Sequence, residues 1–254
     1  MNDYPAPITP VGHVEPVPRR VRATLGGETV LDTTSARYVW ETSYFPQYYI
    51  PLDDVRVELL VKEREAQPSP VGTVEAHALR VGEVERSRAA RVVTESPLEG
   101  LAGTVRFEWS ALDAWFEEDE RVFVHPRNPY SRVDAVRSLR SVRVEIGGVR
   151  VAESDAPVMV FETGLPTRYY LDRTAIDFAH LVPSDTVTAC PYKGTTSGYW
   201  SARIGADEHT DIAWTYDFPM LQVQQIAGLV AFYNEKVDLF IAGEAIERPQ
   251  TRFS

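Results

Sequence analysis

The chain has 254 residues, of which 44% are hydrophobic and 25% are charged, a composition typical of a folded protein with one large or two small domains. Its formal net charge of −11 disfavours nucleic acid and anionic membranes as partners. The single cysteine, Cys190, excludes an internal disulfide framework and a cysteine-rich zinc site. We therefore expect no bound metal, no cofactor, and no nucleic-acid or membrane partner.

The N-terminal residues 1–18 contain five prolines. Proline denies the backbone both helix and central-strand geometry, so this stretch predicts a flexible or draped tail. It shows neither a cationic start followed by an apolar leader nor a membrane-spanning run of about 20 apolar residues. We expect a cytoplasmic protein.

From Val21 onward, apolar and polar residues alternate up to the Gly26-Gly27 pair, and a second apolar run follows at Val30 and Leu31. Alternation on both sides of a glycine pair is typical of a β-hairpin with a glycine turn. The same passage recurs later, because residues 20–50 align without a gap with residues 141–171 at an offset of 121. The shared positions include both glycine pairs, a Glu-Thr pair and a Tyr-Tyr pair.

A second tract, residues 101–109, aligns with residues 226–234 at an offset of 125. Two matching tracts in the same order indicate a tandem duplication. A turn-rich stretch places the boundary between residues 130 and 138. We call residues 19–130 the first repeat and residues 138–254 the second repeat.

Both repeats are rich in glycine hairpins and in short runs of valine, isoleucine, tyrosine and phenylalanine, and they contain few stretches with helical periodicity. This pattern predicts an all-β (mainly β) fold of antiparallel sheets in two similar domains. We expect one turn of helix at residues 219–225 and no long helix.

The stretch Thr188–Trp200 reads TACPYKGTTSGYW and concentrates reactive, aromatic and turn-forming residues. The corresponding residues 74–92 of the first repeat contain no cysteine, lysine or aromatic residue. We therefore expect the functional site in the second repeat, with the first repeat as a scaffold that kept its turns and lost its special loop.

Within this stretch, Cys190 is either a nucleophile or a small buried hydrophobic residue. Lys193 is either a point charge for a carboxylate or phosphate, or an exposed turn lysine. Glu162 and its counterpart Glu41 are either acid–base groups or scaffold residues that accept backbone N–H bonds. We assign no catalytic residue.

Tyrosine and tryptophan need a partner for their polar atoms when they are buried, which suits the lining of a cleft better than the filling of a core. The five histidines show no metal-binding spacing. The candidate ligand-binding residues are Glu162, Tyr170, Cys190, Tyr192, Lys193, Trp200, Trp214 and Tyr216.

The second repeat carries a series of short motifs: Glu162-TGLPTRYY, Thr188-ACPYKG followed by Tyr199-Trp200, Trp214-Thr-Tyr216 and Ile226-AGLVAFY. In these motifs the chain resembles a widespread bacterial family catalogued as domain of unknown function 427, labelled nucleotidyltransferase-like in some lists. Because the first repeat matches the ends of the pattern, the chain is similar to the tandem form of that family.

The resemblance implies a β-tent-like fold, in which two antiparallel sheets meet at an angle over a cleft. Related tent proteins often hold zinc with four cysteines, so with one cysteine the resemblance carries over the shape without the metal. The chain departs from the family pattern at residues 195–198, which lengthen the CPYKG loop, and at Gln222, where members commonly carry glutamate.

Three functional hypotheses follow. The first is a module that binds an unknown small molecule in an aromatic cleft of the second repeat, with Lys193 as charged anchor. The second is an enzyme that uses Cys190 or Lys193, with nucleotidyl transfer as the reaction that the family label suggests. The lack of a G-K-[ST] phosphate loop disfavours this reading. The third is a structural interaction scaffold.

Overall fold

The computed structural model describes residues 4–254, which divide into two compact units. The first repeat lies in a unit of residues 8–130. The second repeat lies in a unit of residues 131–254, which also includes residues 4–7. Every strand ladder in both units is antiparallel, so the prediction of a mainly β fold with antiparallel sheets is confirmed.

The strands of the first unit are β1 (Val14–Pro16), β2 (Val21–Leu25), β3 (Glu28–Thr33), β4 (Arg37–Val39), β5 (Gln47–Pro51), β6 (Leu60–Lys62), β7 (Gln67–Ser69), β8 (Gly72–Val81), β9 (Val84–Glu95), β10 (Thr104–Phe107), β11 (Ala114–Glu117) and β12 (Glu120–Val122). Those of the second unit are β13 (Val133–Arg137), β14 (Val142–Ile146), β15 (Val149–Ser154), β16 (Val158–Glu162), β17 (Leu165–Leu171), β18 (Leu181–Ser184), β19 (Ala189–Cys190), β20 (Gly194–Thr195), β21 (Gly198–Ile204), β22 (Asp207–Thr215), β23 (Val230–Phe232), β24 (Asp238–Ile241) and β25 (Glu244–Ile246). Short 3₁₀ helices lie at Leu52–Asp54, Val57–Leu59, Trp109–Ala111, Arg173–Ala175, Phe178–His180 and Leu221–Ile226.

The two units share one topology. The larger sheet of the first unit has the order β1-β4-β5-β10-β9-β8-β6, and that of the second has the order β13-β16-β17-β23-β22-β21-β18. The smaller sheets have the orders β12-β11-β2-β3 and β25-β24-β14-β15. Strands aligned by the offsets of 121 and 125 occupy equivalent places, which is what a duplicated domain requires.

Each unit has its main core between its two sheets. In the second unit this core joins Val144 and Leu239 of the smaller sheet to Leu171 and Ile212 of the larger sheet. A second apolar cluster covers the opposite face of the larger sheet and includes Tyr170. Because successive strand residues point to opposite faces, Tyr170 and Leu171 contribute to different clusters. We call the face that carries Tyr170, and its equivalent in the first unit, the outer face.

The N-terminal stretch is more ordered than its prolines predict. Residues Val14–Pro16 form β1 at the edge of the larger sheet, where a proline removes no ladder bond needed by a neighbour. Val17 is buried, and the Pro5 carbonyl accepts a 2.8 Å hydrogen bond from the Gly164 N–H. These described segments therefore pack against the fold, which corresponds to the draped form of the expected tail, and the first three residues lie outside the described chain.

The turn of helix expected at residues 219–225 is present as the 3₁₀ segment Leu221–Ile226. Its buried residues Val223 and Ile226 pack on the outer face of the second unit. Within residues 4–254, no helix has the length and apolar character that crossing a membrane requires.

The glycine pair of the first hairpin gives a stability prediction. Gly26 has φ of +60°, a conformation in which a β-branched residue is strained, so Gly26→Val should lower the free energy of unfolding by about 1–3 kcal/mol. Urea denaturation measures the change. Thr29→Val, at an exposed position of the same hairpin, is the control and should leave stability nearly unchanged. Equal stability of the two variants would contradict the role given to the turn.

Candidate functional site

The CPYKG loop is a hairpin that closes against the outer face of the second unit. Its two short strands pair Ala189 with Thr195 and Cys190 with Gly194. Gly194 has φ of +93°, which favours glycine, and the carbonyl of Lys193 accepts a 3.2 Å hydrogen bond from the Met220 N–H. The loop is therefore held on both sides of Lys193.

Lys193 and Glu162 form a buried ion pair. The Lys193 ammonium donates a hydrogen bond to Oε2 of Glu162, which ends strand β16. The two side chains are 11% and 9% exposed. Lys193 is thus not an exposed turn lysine, and the structure brings together two residues that lie 31 positions apart.

Several groups around this pair shift the pKa of Lys193. Burial alone would lower the pKa of Lys193, but interactions with Cys190, Glu162, Tyr170 and Tyr216 raise it well above its ordinary value. The amine therefore stays protonated at neutral pH. A protonated ammonium donates hydrogen bonds, and it serves neither as a nucleophile nor as a general base.

Two buried tyrosines lie beside the ion pair. The Tyr170 hydroxyl accepts a 3.1 Å hydrogen bond from Nε1 of Trp214, and burial raises the pKa of Tyr170 to about 12. Burial also raises the pKa of Tyr216 well above its ordinary value. The structure describes no hydrogen bond from the Tyr216 hydroxyl to any of residues 4–254. Both hydroxyls remain protonated at neutral pH and can donate.

Further aromatic residues extend the cluster across the outer face. The Tyr199 and Tyr233 hydroxyls are 2.7 Å apart, and the ring of Tyr233 lies 4.4 Å from that of Trp214 between centroids. Tyr199 and Tyr233 belong to the aromatic residues expected to suit a cleft, but they are not among the eight candidate ligand-binding residues. Their positions in strands β21 and just after β23, on the face of Tyr170, are the signal that could have included them.

A second buried ion pair lies next to this cluster. Arg168 donates to both carboxylate oxygens of Glu235 at 2.6 and 2.8 Å, and Thr251 donates to the same carboxylate at 2.6 Å. The Arg168 guanidinium lies over the rings of Trp214 and Tyr233, 5.9 and 5.5 Å from their centroids. No short motif joins residues 67 positions apart, so sequence reasoning missed this pair.

One candidate residue lies elsewhere. Trp200 follows Tyr199 in strand β21, so its side chain points to the opposite face of the sheet, where it packs against the main core. Its neighbours are Phe178, at 5.7 Å between ring centroids, and the Arg173 guanidinium, also at 5.7 Å. The structure therefore does not bring Trp200 together with Lys193 and Glu162. Cys190 and Tyr192 lie in the loop itself and are half-buried.

The first repeat has its own version of the ion pair. Glu41 accepts a 2.9 Å hydrogen bond from the Tyr49 hydroxyl, and its Oε1 lies 3.2 Å from Nε of Arg106. Glu41 and Tyr49 correspond to Glu162 and Tyr170 at the offset of 121. Arg106 lies on strand β10 and aligns with Ala231 at the offset of 125, so it is not the counterpart of Lys193. The acid and the tyrosine are therefore common to both repeats, whereas the cation differs.

No group of three or more histidine, cysteine, aspartate or glutamate side chains within residues 4–254 is arranged to hold a metal ion. The site on the outer face consists of one ammonium, one carboxylate, one thiol and several phenol groups. Such a set can bind a hydrogen-bond acceptor through charge and O–H donors.

The buried pair gives a mutational prediction. Removing one partner leaves the other charge buried and unpaired, so Glu162→Gln and Lys193→Met should each cost about 3 kcal/mol in the free energy of unfolding. The double variant should cost clearly less than the sum of the single variants. Urea denaturation of all four proteins measures the coupling. The control is Lys62→Met, which breaks an exposed pair and should change stability by less than about 1 kcal/mol.

Additive costs in this cycle would mean that Lys193 and Glu162 do not interact in the folded protein.

The second pair gives a prediction about acid stability. Burial would raise the pKa of Glu235, but hydrogen bonds from Arg168 outweigh it and hold that pKa below its ordinary value of 4.5. The resulting stabilisation is present above pH 4.5 and is lost as the pH falls through the lower, folded-state pKa. Unfolding free energy should therefore fall less steeply between pH 5 and pH 3 in Glu235→Gln than in the wild type. The control, exposed Glu247→Gln, should keep the wild-type slope, and equal slopes in all three proteins would contradict the assignment.

Sequence comparison agrees with the geometry of the two repeats. The family described as Domain of unknown function (DUF427) matches residues 13–118 and again residues 134–243. No curated protein sequence matches the chain. The two matches together cover most of the chain, each contains one ion pair of the kind described above, and the predicted resemblance is confirmed. The chain belongs to the family of the domain of unknown function DUF427 and carries that domain twice.

Proposed function

We propose that the second repeat binds a small molecule at Lys193 and that the ligand presents an oxygen acceptor, as a carboxylate or a phosphate does. The observation behind this proposal is that the Lys193 ammonium has hydrogen-bond donors without a described partner. Within residues 4–254 its described hydrogen bond goes to Glu162 alone. An ammonium has three donors, so two N–H groups of a nearly buried cation are left for another partner.

The groups around Lys193 support an acceptor rather than a donor as ligand. The protonated hydroxyls of Tyr170 and Tyr216 are donors in the same cluster as the ammonium. Glu162 is the one carboxylate among the groups that act on Lys193. A ligand oxygen can add to the ammonium opposite Glu162 without displacing it, since the ammonium is not confined to one acceptor.

The loop and the segment next to it also expose side chains close to Lys193. Cys190 and Tyr192 are half-buried, so the loop presents part of these two side chains to solvent close to the buried ammonium. On the adjacent segment, Phe218 and Leu221 are 89% and 85% exposed. Apolar side chains next to a polar anchor suit a ligand that has an apolar part beside its oxygen group.

The enzyme hypothesis has less support. A lysine whose pKa lies above its ordinary value is a poor nucleophile, which disfavours chemistry at Lys193. Nucleotidyl transfer at Cys190 and a purely structural scaffold remain alternatives that no contact in the second repeat favours. The expectations of a cytoplasmic protein without a nucleic-acid partner also stay predictions.

The test is a panel of small carboxylates and phosphates screened by thermal shift and followed by calorimetry. A ligand at one hundred times its Kd should stabilise the fold by about 2.7 kcal/mol. Tyr216→Phe removes a hydroxyl with no described partner, so it should leave stability unchanged and weaken ligand binding by about 1 kcal/mol.

The control is Tyr44→Phe, which removes an exposed hydroxyl in the first repeat and should change neither quantity. A ligand that binds Tyr216→Phe and Lys193→Arg with wild-type affinity would contradict the proposed site.

A further inference from the structure

The first repeat has a groove that the sequence did not predict. It has a volume of about 850 Å³ and lies on the outer face of the larger sheet. Ala76 of β8 and Arg91 of β9 line it, together with Arg64, Glu65 and residues 67–70 before β8, residues 85–88 of β9 and Ser110. All of these residues belong to the first unit.

Strand register explains why this face is open. Ala76 pairs with Arg91 across β8 and β9, and this pair occupies the place of Tyr199 and Trp214 across β21 and β22. At the offset of 125, Glu108 occupies the place of Tyr233. Three large rings of the second repeat are thus replaced by a methyl group and two charged side chains. The space that the rings fill there is accessible to solvent here.

The carboxylates that line the groove are already paired. Glu65 lies 2.7 Å from the Lys62 ammonium, and Glu85 lies 2.9 Å from the Arg80 guanidinium. The carboxylate of Glu108 lies 2.8 Å from Arg91 and also contacts Arg106. The negative charge of the lining is therefore neutralised by its own neighbours.

Three of the four arginines that line the groove are not neutralised in the same way. Arg64, Arg86 and Arg88 have guanidinium groups that form no ion pair with any of residues 4–254. The bond described for the Arg86 side chain is a long one, 3.4 Å, to the Glu85 carbonyl. Three free guanidiniums around one groove produce a local positive site in a chain whose net charge is −11.

The backbone at Arg88 adds a separate observation. Both repeats have a β-bulge at this place, and its residue has positive φ, 52° in Arg88 and 48° in Asp211. Aspartate tolerates this conformation better than a long side chain does. The Arg88 N–H is held there by a 2.7 Å hydrogen bond to Glu63. Backbone preference therefore does not explain an arginine at the bulge, whereas a role for its guanidinium beside the groove does.

We infer that this groove is a second binding site, separate from Lys193, for a small anion with two or more negative charges. Guanidinium groups bind carboxylate and phosphate oxygens through paired N–H donors. The lining contains no aromatic ring, so recognition rests on charge and on hydroxyls such as those of Ser87 and Ser110. An oligophosphate or a di- or tricarboxylate has this chemistry.

The test uses the full chain with inorganic pyrophosphate as probe, in titration calorimetry at low and high salt. The wild type should bind, and its affinity should fall as ionic strength rises. Arg88→Gly removes the charge while supplying the residue that the positive φ favours. It should therefore keep or raise the melting temperature and weaken pyrophosphate binding about tenfold or more. Arg64→Gln should weaken binding without a change in fold.

The control is Arg137→Gln, which removes an exposed arginine from strand β13 of the second unit and should leave binding unchanged. Pyrophosphate that also occupies the Lys193 site would appear as a second binding event that Tyr216→Phe weakens and Arg88→Gly does not. Loss of all binding in Tyr216→Phe, or wild-type affinity in both Arg88→Gly and Arg64→Gln, would overturn the inference. So would a wild type that does not bind pyrophosphate at low salt.

Discussion

A buried carboxylate that must be neutralised is the constraint on which the rest of this domain depends. Glu162 and Glu41 sit at the same position of the fold, and each contacts a cation that is about one-tenth exposed. Glu162 is 9% exposed and Glu41 is 26% exposed, so an unpaired charge is costly at both places, more so at Glu162, and a cation from a strand or loop offsets that cost. The CPYKG loop supplies it in one repeat, and strand β10 supplies it in the other.

The choice of cation changes what the outer face can contain. Arg106 reaches Glu41 from the middle of the sheet, and it also contacts Glu108, which in turn pairs with Arg91. This charged network occupies strand positions that carry Ala231, Tyr233 and Trp214 in the second repeat. Where the cation comes from a loop, the same positions are free to hold aromatic rings. The element that supplies the cation, a loop or a strand, thus separates an aromatic face from a charged groove on the same scaffold.

The sequence was sufficient for the fold and for part of the site. Gap-free alignment of the two halves predicted the duplicated topology, because glycine turns and alternating strands are local patterns. The motifs of the second repeat also put Lys193, Glu162 and Tyr170 among the candidate residues, and the structure brings these three together. Trp200 lies on the opposite face of the sheet because it follows Tyr199 directly in strand β21, and its aromatic type alone does not reveal that register. The Arg168–Glu235 pair was missed because it depends on strand pairing between distant segments.

The groove of the first repeat was missed for a different reason: loss of the CPYKG loop was interpreted as loss of function. The two cations differ in more than chemistry. Arg106 is fixed in a central strand, where movement would break ladder bonds to β9 and β5. Lys193 lies in the turn of a two-stranded hairpin, whose ladder pairs Ala189 with Thr195 and Cys190 with Gly194. The ammonium of Lys193 has N–H donors left for a ligand oxygen beside Glu162, whereas Arg106 already contacts both Glu41 and Glu108. The acid thus pairs with a cation in both repeats, and under the proposed function it is the loop position of Lys193 that would let a ligand oxygen join the pair in the second repeat.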